Sequence, residues 1–512
     1  MLRTGARLAA WGLVWSLALT AAAEPMEASR LVLPGRIQDL DAADVDGDGR
    51  ADVLVIWASG EDFQTRTRLS IFRARKEGYP ERPDQVVSLP AGTVAYDLAD
   101  ANGDGRCDVL LLAGDGVRML AAGADGKLGR EPVELLRVMC TAAFPQPGAV
   151  PRMRFGLQLD TRPALLLPTV PIGPLTLYTP GADGRFAQQR SLRVPTRAAI
   201  HAAGGGAGLA PAGDRFVFQY PARALADWDG DGLVDLFFME GGSLAVFRQR
   251  PDAGFASEPD VYQRLQGRSQ PGDKSLSMLR GAVGDLDGDG KAEVAAVSLS
   301  AKGMTDVASQ VQIFKAGSEG KYIKSQEFKG AAGLPIFGGG LLLEDVDGDG
   351  RRDVLLPNAD VGLSDLLGMA IRKGGTVDMR VDVFLSTADG VRPRADIRIE
   401  CPIAFDMESK KQSGLDLPVL GHDFDGDGKP DLAIRIAGGG AGDRPDRVEL
   451  RPGRGESGFG EAVWKTMLPP VKRMKAFPAR AGRSGLLVEL AGSGEQGDVV
   501  VLDNRGPWRR SP

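Results

Sequence analysis

The chain has 512 residues, a formal net charge of -6, 43% hydrophobic and 25% charged residues. That balance excludes a disordered chain, and three Cys exclude a disulfide scaffold. With 69 Gly and 33 Pro against 6% aromatic residues, turns are expected at short intervals and long helices are not.

The first stretch reads as a processing signal, residues 1–23. Arg3 and Arg7 precede an apolar segment from Leu8 to Thr20, and Ala21, Ala22 and Ala23 supply small residues for cleavage before Glu24. A secreted or periplasmic location is the expectation, with a retained membrane anchor as the alternative. The apolar segment is short for a spanning helix, and no later run is long and apolar enough to cross a bilayer. No Cys follows the segment to carry a lipid.

Next comes a nine-residue stretch that recurs along the chain. It reads Asp44-Val-Asp46-Gly-Asp48-Gly-Arg50-Ala-Asp52 and runs directly into Val53-Leu54-Val55-Ile56. Oxygen-bearing side chains stand at positions 1, 3, 5 and 9, and Gly47 and Gly49 allow the backbone to fold back so that they converge. The pattern returns with Asp100, Asn102, Asp104 and Asp108, and again with Asp227, Asp229, Asp231 and Asp235. Three further copies carry Asp285, Asp287, Asp289 and Glu293; Asp345, Asp347, Asp349 and Asp353; and Asp423, Asp425, Asp427 and Asp431. Hard divalent cations take six to eight oxygens in forgiving geometry, so a calcium site is the chemistry these residue types favour. Asp-Gly turns without metal are the competing reading.

An EF-hand would require a Glu at position 12 and flanking helices. Position 12 is instead Val55, Leu111, Phe238, Ala296, Leu356 or Ile434, inside a short apolar run of strand character. The loops are therefore expected at strand ends.

The first Asp of the copies falls at 44, 100, 227, 285, 345 and 423. The spacing is near 60 residues, with one interval of about twice that. A worn unit is expected near Leu159-Asp160, where Leu165-Leu166-Leu167 keeps the strand without the loop. Another is expected near Arg483, where Leu486-Leu487-Val488 does the same. Each unit adds a second strand, such as Leu69 to Phe72, Leu175 to Tyr178, Leu244 to Phe247, Val311 to Phe314 and Val381 to Phe384. About four strands per unit is the pattern of a propeller blade. The prediction is an all-β propeller of eight four-stranded blades over residues 29–505, with seven blades as the alternative. The last unit ends one strand short at Val499 to Leu502, and Arg30 to Leu33 has no blade of its own. The N-terminal strand is therefore expected to complete the last blade.

These loops, their spacing and the surrounding strands resemble FG-GAP or VCBS repeats, the calcium-bearing repeats of integrin α-subunit propellers and of many exported bacterial proteins. The resemblance covers essentially the whole chain after the signal. It implies that side chains at positions 1, 3, 5 and 9 hold Ca²⁺ together with the carbonyl at position 7. Those carbonyls belong to Arg50, Arg106, Leu233, Lys291, Arg351 and Lys429. About six structural ions are implied. Asn102 lowers the charge of the second site, Glu293 is longer than the usual Asp, and the Phe-Gly landmark survives only in part, at Phe337-Gly338. Without Arg3 and Arg7 the charge is about -8, and six Ca²⁺ would bring it to roughly +4. The acidity thus belongs to the loops, and no concentrated basic patch points to nucleic acid.

Catalytic motifs are sparse. His201 and His422 lack zinc spacing, and no nucleophile elbow or phosphate-binding loop is present. The runs Gly204 to Gly206, Gly338 to Gly340 and Gly438 to Gly440 lack the rest of a nucleotide fingerprint. Cys107 reads as a small core-facing residue, while Cys140 and Cys401 are available to pair. Three segments are expected to project from one face or the rim: Ala199 to Gly213, a helically spaced run from Leu363 to Ile371, and a polar stretch from Arg392 to Leu417. The functional expectation is a binding, adhesion or scaffold module for a protein or glycan ligand. Its alternative is a polysaccharide lyase or hydrolase on the same ring.

Overall fold

The computed structural model describes residues 26–504, apart from 61–64, 141–149, 160–161, 170–173, 195–196, 202–214, 220–221, 252–253, 266–279, 302–306, 318–319, 336–340, 360–373, 407–416, 439–444, 480–481, 492–495 and positions 182, 241 and 333. The signal segment, the run from Leu363 to Ile371 and the first two Gly runs lie outside the described residues.

The turn signals between short apolar runs produce antiparallel hairpins, and successive hairpins build eight sheets in chain order. The first blade consists of Arg36–Ala43, Asp52–Ser59, Arg66–Phe72 and Gln85–Ser88, paired in that order. Six further sheets repeat the plan. In the sixth blade the first strand comes in two pieces, Leu334–Pro335 and Leu342–Glu344, both paired to Asp353–Ala359. The eighth blade has only Val471–Pro478, Ser484–Leu490 and Gly497–Asn504 from its own end of the chain. Met26–Leu33 supplies its fourth strand, pairing antiparallel with Gly497–Asn504 from Met26 opposite Asn504 to Leu33 opposite Gly497. The eight-blade count and the closure by the N-terminal strand agree with the expectation. Both worn units are blades, the third with Gly156–Leu159 and Arg162–Pro168, the eighth with Ser484–Leu490.

First strands of neighbouring blades touch one another, as Arg36–Ala43 does Val471–Pro478, and so surround the ring axis. The second strand of each blade is buried on both faces: Asp108–Ala113, Asp353–Ala359 and Ser484–Leu490 have no exposed residue. Each blade packs a neighbour on either side, which is why the run after each loop is continuously apolar and does not alternate. The core is correspondingly divided into eight clusters, each between two adjacent blades. Leu31, Leu33, Trp57, Phe477 and Leu487 join the last blade to the first.

The stretch from Arg392 to Leu417 corrects the sequence reading. Ile397–Glu400 is the outer strand of the sixth blade, and Ile403–Asp406 pairs with Gly374–Val377. Ile397, Ile399, Cys401 and Ile403 are buried in alternation with exposed or part-exposed neighbours. That period of two was hidden in a polar composition. Arg197–His201, which holds His201, pairs with Arg215–Gln219 as a separate hairpin between the third and fourth blades. Cys107, Cys140 and Cys401 are all free thiols. Among the described residues there is no α-helix, only a turn of 3-10 helix at Gly455–Ser457, and no helix long and apolar enough to cross a membrane.

Candidate metal centres and the inner rim

All six loops join the first strand of a blade to its second and share one hydrogen-bond scheme. In the first loop the N–H groups of Gly47 and Gly49 donate to the two oxygens of Asp44 at 2.7 and 2.8 Å. Asp48 N–H donates to Asp46 at 3.2 Å, and Arg50 N–H to Asp48 at 2.9 Å. Both glycines have φ near +80°, 77° and 81°, a region closed to most side chains. The same bonds bind Gly103 and Gly105 to Asp100, Gly230 and Gly232 to Asp227, Gly288 and Gly290 to Asp285, Gly348 and Gly350 to Asp345, and Gly426 and Gly428 to Asp423. Backbone amides thus fix the position 1 carboxylate through both of its oxygens.

Position 9 carries a second function absent from the sequence reading. Asp52 accepts the N–H of Val45 within its own loop at 3.3 Å and that of Ala74, beyond the third strand, at 2.9 Å. Asp108 bridges Ala101 and Ala122, Asp235 bridges Trp228 and Gln249, Asp353 bridges Val346 and Ser386, and Asp431 bridges Phe424 and Gly453. Glu293, one methylene longer, accepts Leu286 N–H at 2.8 Å. The five Asp carboxylates pin the loop to the chain beyond the third strand.

The donor set fits a hard divalent cation. In five loops three carboxylates offer oxygens within 4.8 Å of one another: Asp44, Asp46 and Asp48; Asp227, Asp229 and Asp235; Asp285, Asp287 and Asp289; Asp345, Asp347 and Asp353; Asp423, Asp425 and Asp431. The second loop has Asn102 where the others have a carboxylate, and its amide N–H donates to Asp104 at 3.1 Å while its oxygen accepts the Asp104 N–H at 2.9 Å. Asp229 Oδ1 is buried without a hydrogen-bond donor while the other oxygen of the carboxylate pairs with Arg248, which leaves one acceptor that a cation would satisfy. Burial, reinforced by neighbouring carboxylates, pushes Asp52, Asp353 and Asp431 up to about 7, Glu293 to about 7 and Asp235 to about 6, against the pull of their backbone bonds. Basic side chains of the chain lean on the same groups. Arg50 pairs with Asp48, Arg106 with Asp104 at 2.5 Å, Lys315 with Asp287 and Arg351 with Asp349. In the loop with Leu233 at position 7, Arg248 reaches Asp229 and Asp231 at 2.6 and 2.9 Å.

Neighbouring loops are stitched to one another. The position 8 amide of one loop donates to the position 1 carbonyl of the loop before it: Cys107 to Asp44, Ala292 to Asp227 and Arg352 to Asp285, at 2.8 to 3.1 Å. Ser484 N–H does the same to Asp423 at 2.7 Å. Position 8 of the sixth loop is Pro430, which has no N–H, and there Gly348 packs against the ring of Pro430 instead.

A second polar constellation lines the ring axis, and the loop motif gave no sign of it. The segment from Val150 to Phe155 runs beside the first strand of the second blade, with Tyr96 N–H donating to Pro151 and Met153 N–H to Tyr96. The guanidinium of Arg152 binds Asp41 of the first blade at 2.5 Å and Asp97 of the second at 3.1 Å. From the eighth blade, Arg473 binds Asp39 at 2.7 Å and Glu489 at 2.8 Å, and Lys475 binds Asp41 at 2.8 Å. Burial raises Asp41, but Lys475 and Arg152 outweigh it and hold the carboxyl below its ordinary range. The Tyr96 hydroxyl is buried without a protein partner. His422, at the end of the first strand of the seventh blade, is kept neutral by burial, with Nδ1 3.4 Å from Ser484 Oγ. That oxygen is the one hydrogen-bond partner of its side chain among the described residues.

A family model described as FG-GAP-like repeat matches residues 44–111 and 227–296. No curated protein matches the chain. Among solved structures, one describing specific recognition of non-reducing terminal N-acetylglucosamine by an Agrocybe aegerita lectin is 14% identical with a TM-score of 0.37, covering 94% of this chain and 86% of that one. An exotype rhamnogalacturonan lyase is 12% identical with a TM-score of 0.41, covering 93% of this chain and 76% of its own. A protein from Lactobacillus plantarum is 11% identical with a TM-score of 0.33, covering 81% and 96% respectively.

Proposed function

Because this chain is an eight-bladed propeller of FG-GAP-like repeats, we propose that it is an exported, calcium-stabilised binding module that presents a rigid ring to a glycan or protein ligand. The observation that carries the reading is the sixfold loop, in which backbone amides orient carboxylates toward one another at a strand end. In each loop the residues that would hold the ion are those at positions 1, 3, 5 and 9 with the carbonyl at 7, such as Asp44, Asp46, Asp48, Asp52 and Arg50. A bound cation supplies charge neutralisation and a crosslink between two strands. The chain does the rest: position 1 closes the turn, and position 9 ties the loop to the next hairpin. The stitches between loops spread that rigidity around the ring. Each filled site at a hundredfold excess over its dissociation constant would add about 2.7 kcal/mol to stability.

Calcium stoichiometry and thermal unfolding of the mature protein, in EGTA and in millimolar Ca²⁺, test the reading. We expect five to six bound ions, with the second loop the weakest, and a large rise in midpoint. No bound calcium and no shift would reduce the loops to Asp-Gly turns.

A further inference from the structure

We propose that the stitches between loops couple their ion sites, so that the first and second loops load together, the third, fourth and fifth load together, and the sixth loads alone; this rests on the calcium reading above and names how those sites are regulated. The coupling lies in one peptide unit. Position 8 of a loop donates its N–H to the position 1 carbonyl of the loop before it, from Cys107 to Asp44 at 3.1 Å, from Ala292 to Asp227 at 2.8 Å and from Arg352 to Asp285 at 2.9 Å. Each of those N–H groups shares its peptide plane with the position 7 carbonyl of Arg106, Lys291 or Arg351, the backbone atom that would hold the ion. In a trans peptide the N–H and the C=O point to opposite edges, so fixing one to the preceding loop sets the direction of the other.

Side chains mark the same junctions. The stem of Arg106 lies over Gly47, where a Cβ would come within 3.3 Å of it, and Lys291 and Arg351 cover Gly230 and Gly288 in the same way, at 3.0 and 3.3 Å. The residue that carries the carbonyl of one site thus rests on the turn of the site before it. A carbonyl drawn to a cation polarises its own amide and strengthens the N–H bond to the preceding loop, while a preceding loop already held still offers that N–H a fixed acceptor. By linkage the effect runs equally in both directions. The chain interrupts the series at three places. The third and eighth blades lack the nine-residue motif, which separates the second loop from the third and the sixth from the first. Between the fifth and sixth loops the break is chemical: Pro430 stands at position 8, keeps its ring against Gly348 and has no N–H to give.

Hydrogen exchange of the six loops, followed by mass spectrometry across a Ca²⁺ titration of the full-length protein, reads a midpoint for each loop and tests the proposal. Asp347→Asn combined with Asp349→Asn weakens the fifth site while keeping the side-chain oxygens that accept the N–H groups of residue 349 and Arg351. The fourth-loop midpoint is expected to move to about threefold to tenfold higher calcium, the worth of one hydrogen bond, and the sixth to stay, although both border the fifth. Arg352→Pro, which copies position 8 of the sixth loop, is expected to make the fourth midpoint insensitive to that double substitution. If Arg352→Pro fails to fold, as judged by melting in EGTA, the comparison of the fourth and sixth loops decides alone. Equal shifts in both neighbours, or none in either, would overturn the proposal. A protein that binds calcium with independent midpoints defeats only the coupling, whereas one that binds no calcium defeats the reading of the loops as ion sites.

Discussion

At the scale of single residues, the loop positions divide into two kinds of work. Asp349 at position 5 is oriented by one backbone amide and pairs with the Arg351 side chain, whereas Asp353 at position 9 is buried and accepts two amides, one from its own loop and one from the following hairpin. Asp353→Asn leaves one of those amides facing an NH₂ group. Urea denaturation should therefore show a loss of about 1–3 kcal/mol both in EGTA and in calcium. Asp349→Asn, which keeps its accepting oxygen, should lower only the increment that calcium adds. The position 9 carboxylates also set a pH dependence. In the ion-free chain Asp52, Asp353 and Asp431 titrate near 7, above the ordinary value of 3.8. The folded state then binds the proton more tightly than the unfolded one. The resulting stability is complete below about pH 4 and is lost as pH rises through about 7. Melting in EGTA should accordingly fall between about pH 5 and 8, while melting in calcium should not, since the ion favours the charged form. A melting temperature in EGTA that rises over that range would contradict this account of the loops.

Between elements, the blades are joined by more than apolar packing. Gln85 on the outer strand of the first blade forms a paired amide contact with Leu128 of the second, at 2.7 and 3.0 Å. Gln263 does the same to Tyr322 across the fourth and fifth blades, at 2.7 and 2.9 Å, and Gln326 to Val391 across the fifth and sixth. Each such Gln acts as a one-residue strand, offering a donor and an acceptor to the edge of the next sheet. Gln263→Ala removes both bonds and should lower stability by about 1–2 kcal/mol, read as a shift in urea midpoint with unchanged slope. The recurrence of these Gln residues about 40 positions after a loop was available in the sequence, but Gln is common on exposed strands. Only the neighbouring blade tells a stitch from a solvated side chain. The outer strand Ile397–Glu400 escaped the sequence reading for a similar reason, because its four-residue alternation is short and set among charges.

The ring as a whole depends on one strand far from its partner in sequence. Met26–Leu33 contributes eight ladder pairs and the buried Leu31 and Leu33 to the junction of the eighth and first blades. Deleting residues 24–33 should leave Gly497–Asn504 as a bare edge and abolish a single cooperative melt, with self-association visible by light scattering. A truncated chain that melts as one transition at the same temperature would show that the ring closes by other means. The sequence by itself determined the repeat, the strand-end loops, the eight blades and the closing strand, because all of these are local patterns: a nine-residue spacing, apolar runs and a period near 60. Tertiary structure alone decided what those patterns touch. Asp41, Asp97, Arg152 and Arg473 come from three blades and a connecting segment; no periodicity links them. Their pairing follows from ring geometry, which brings distant first strands to one axis where charges must be matched.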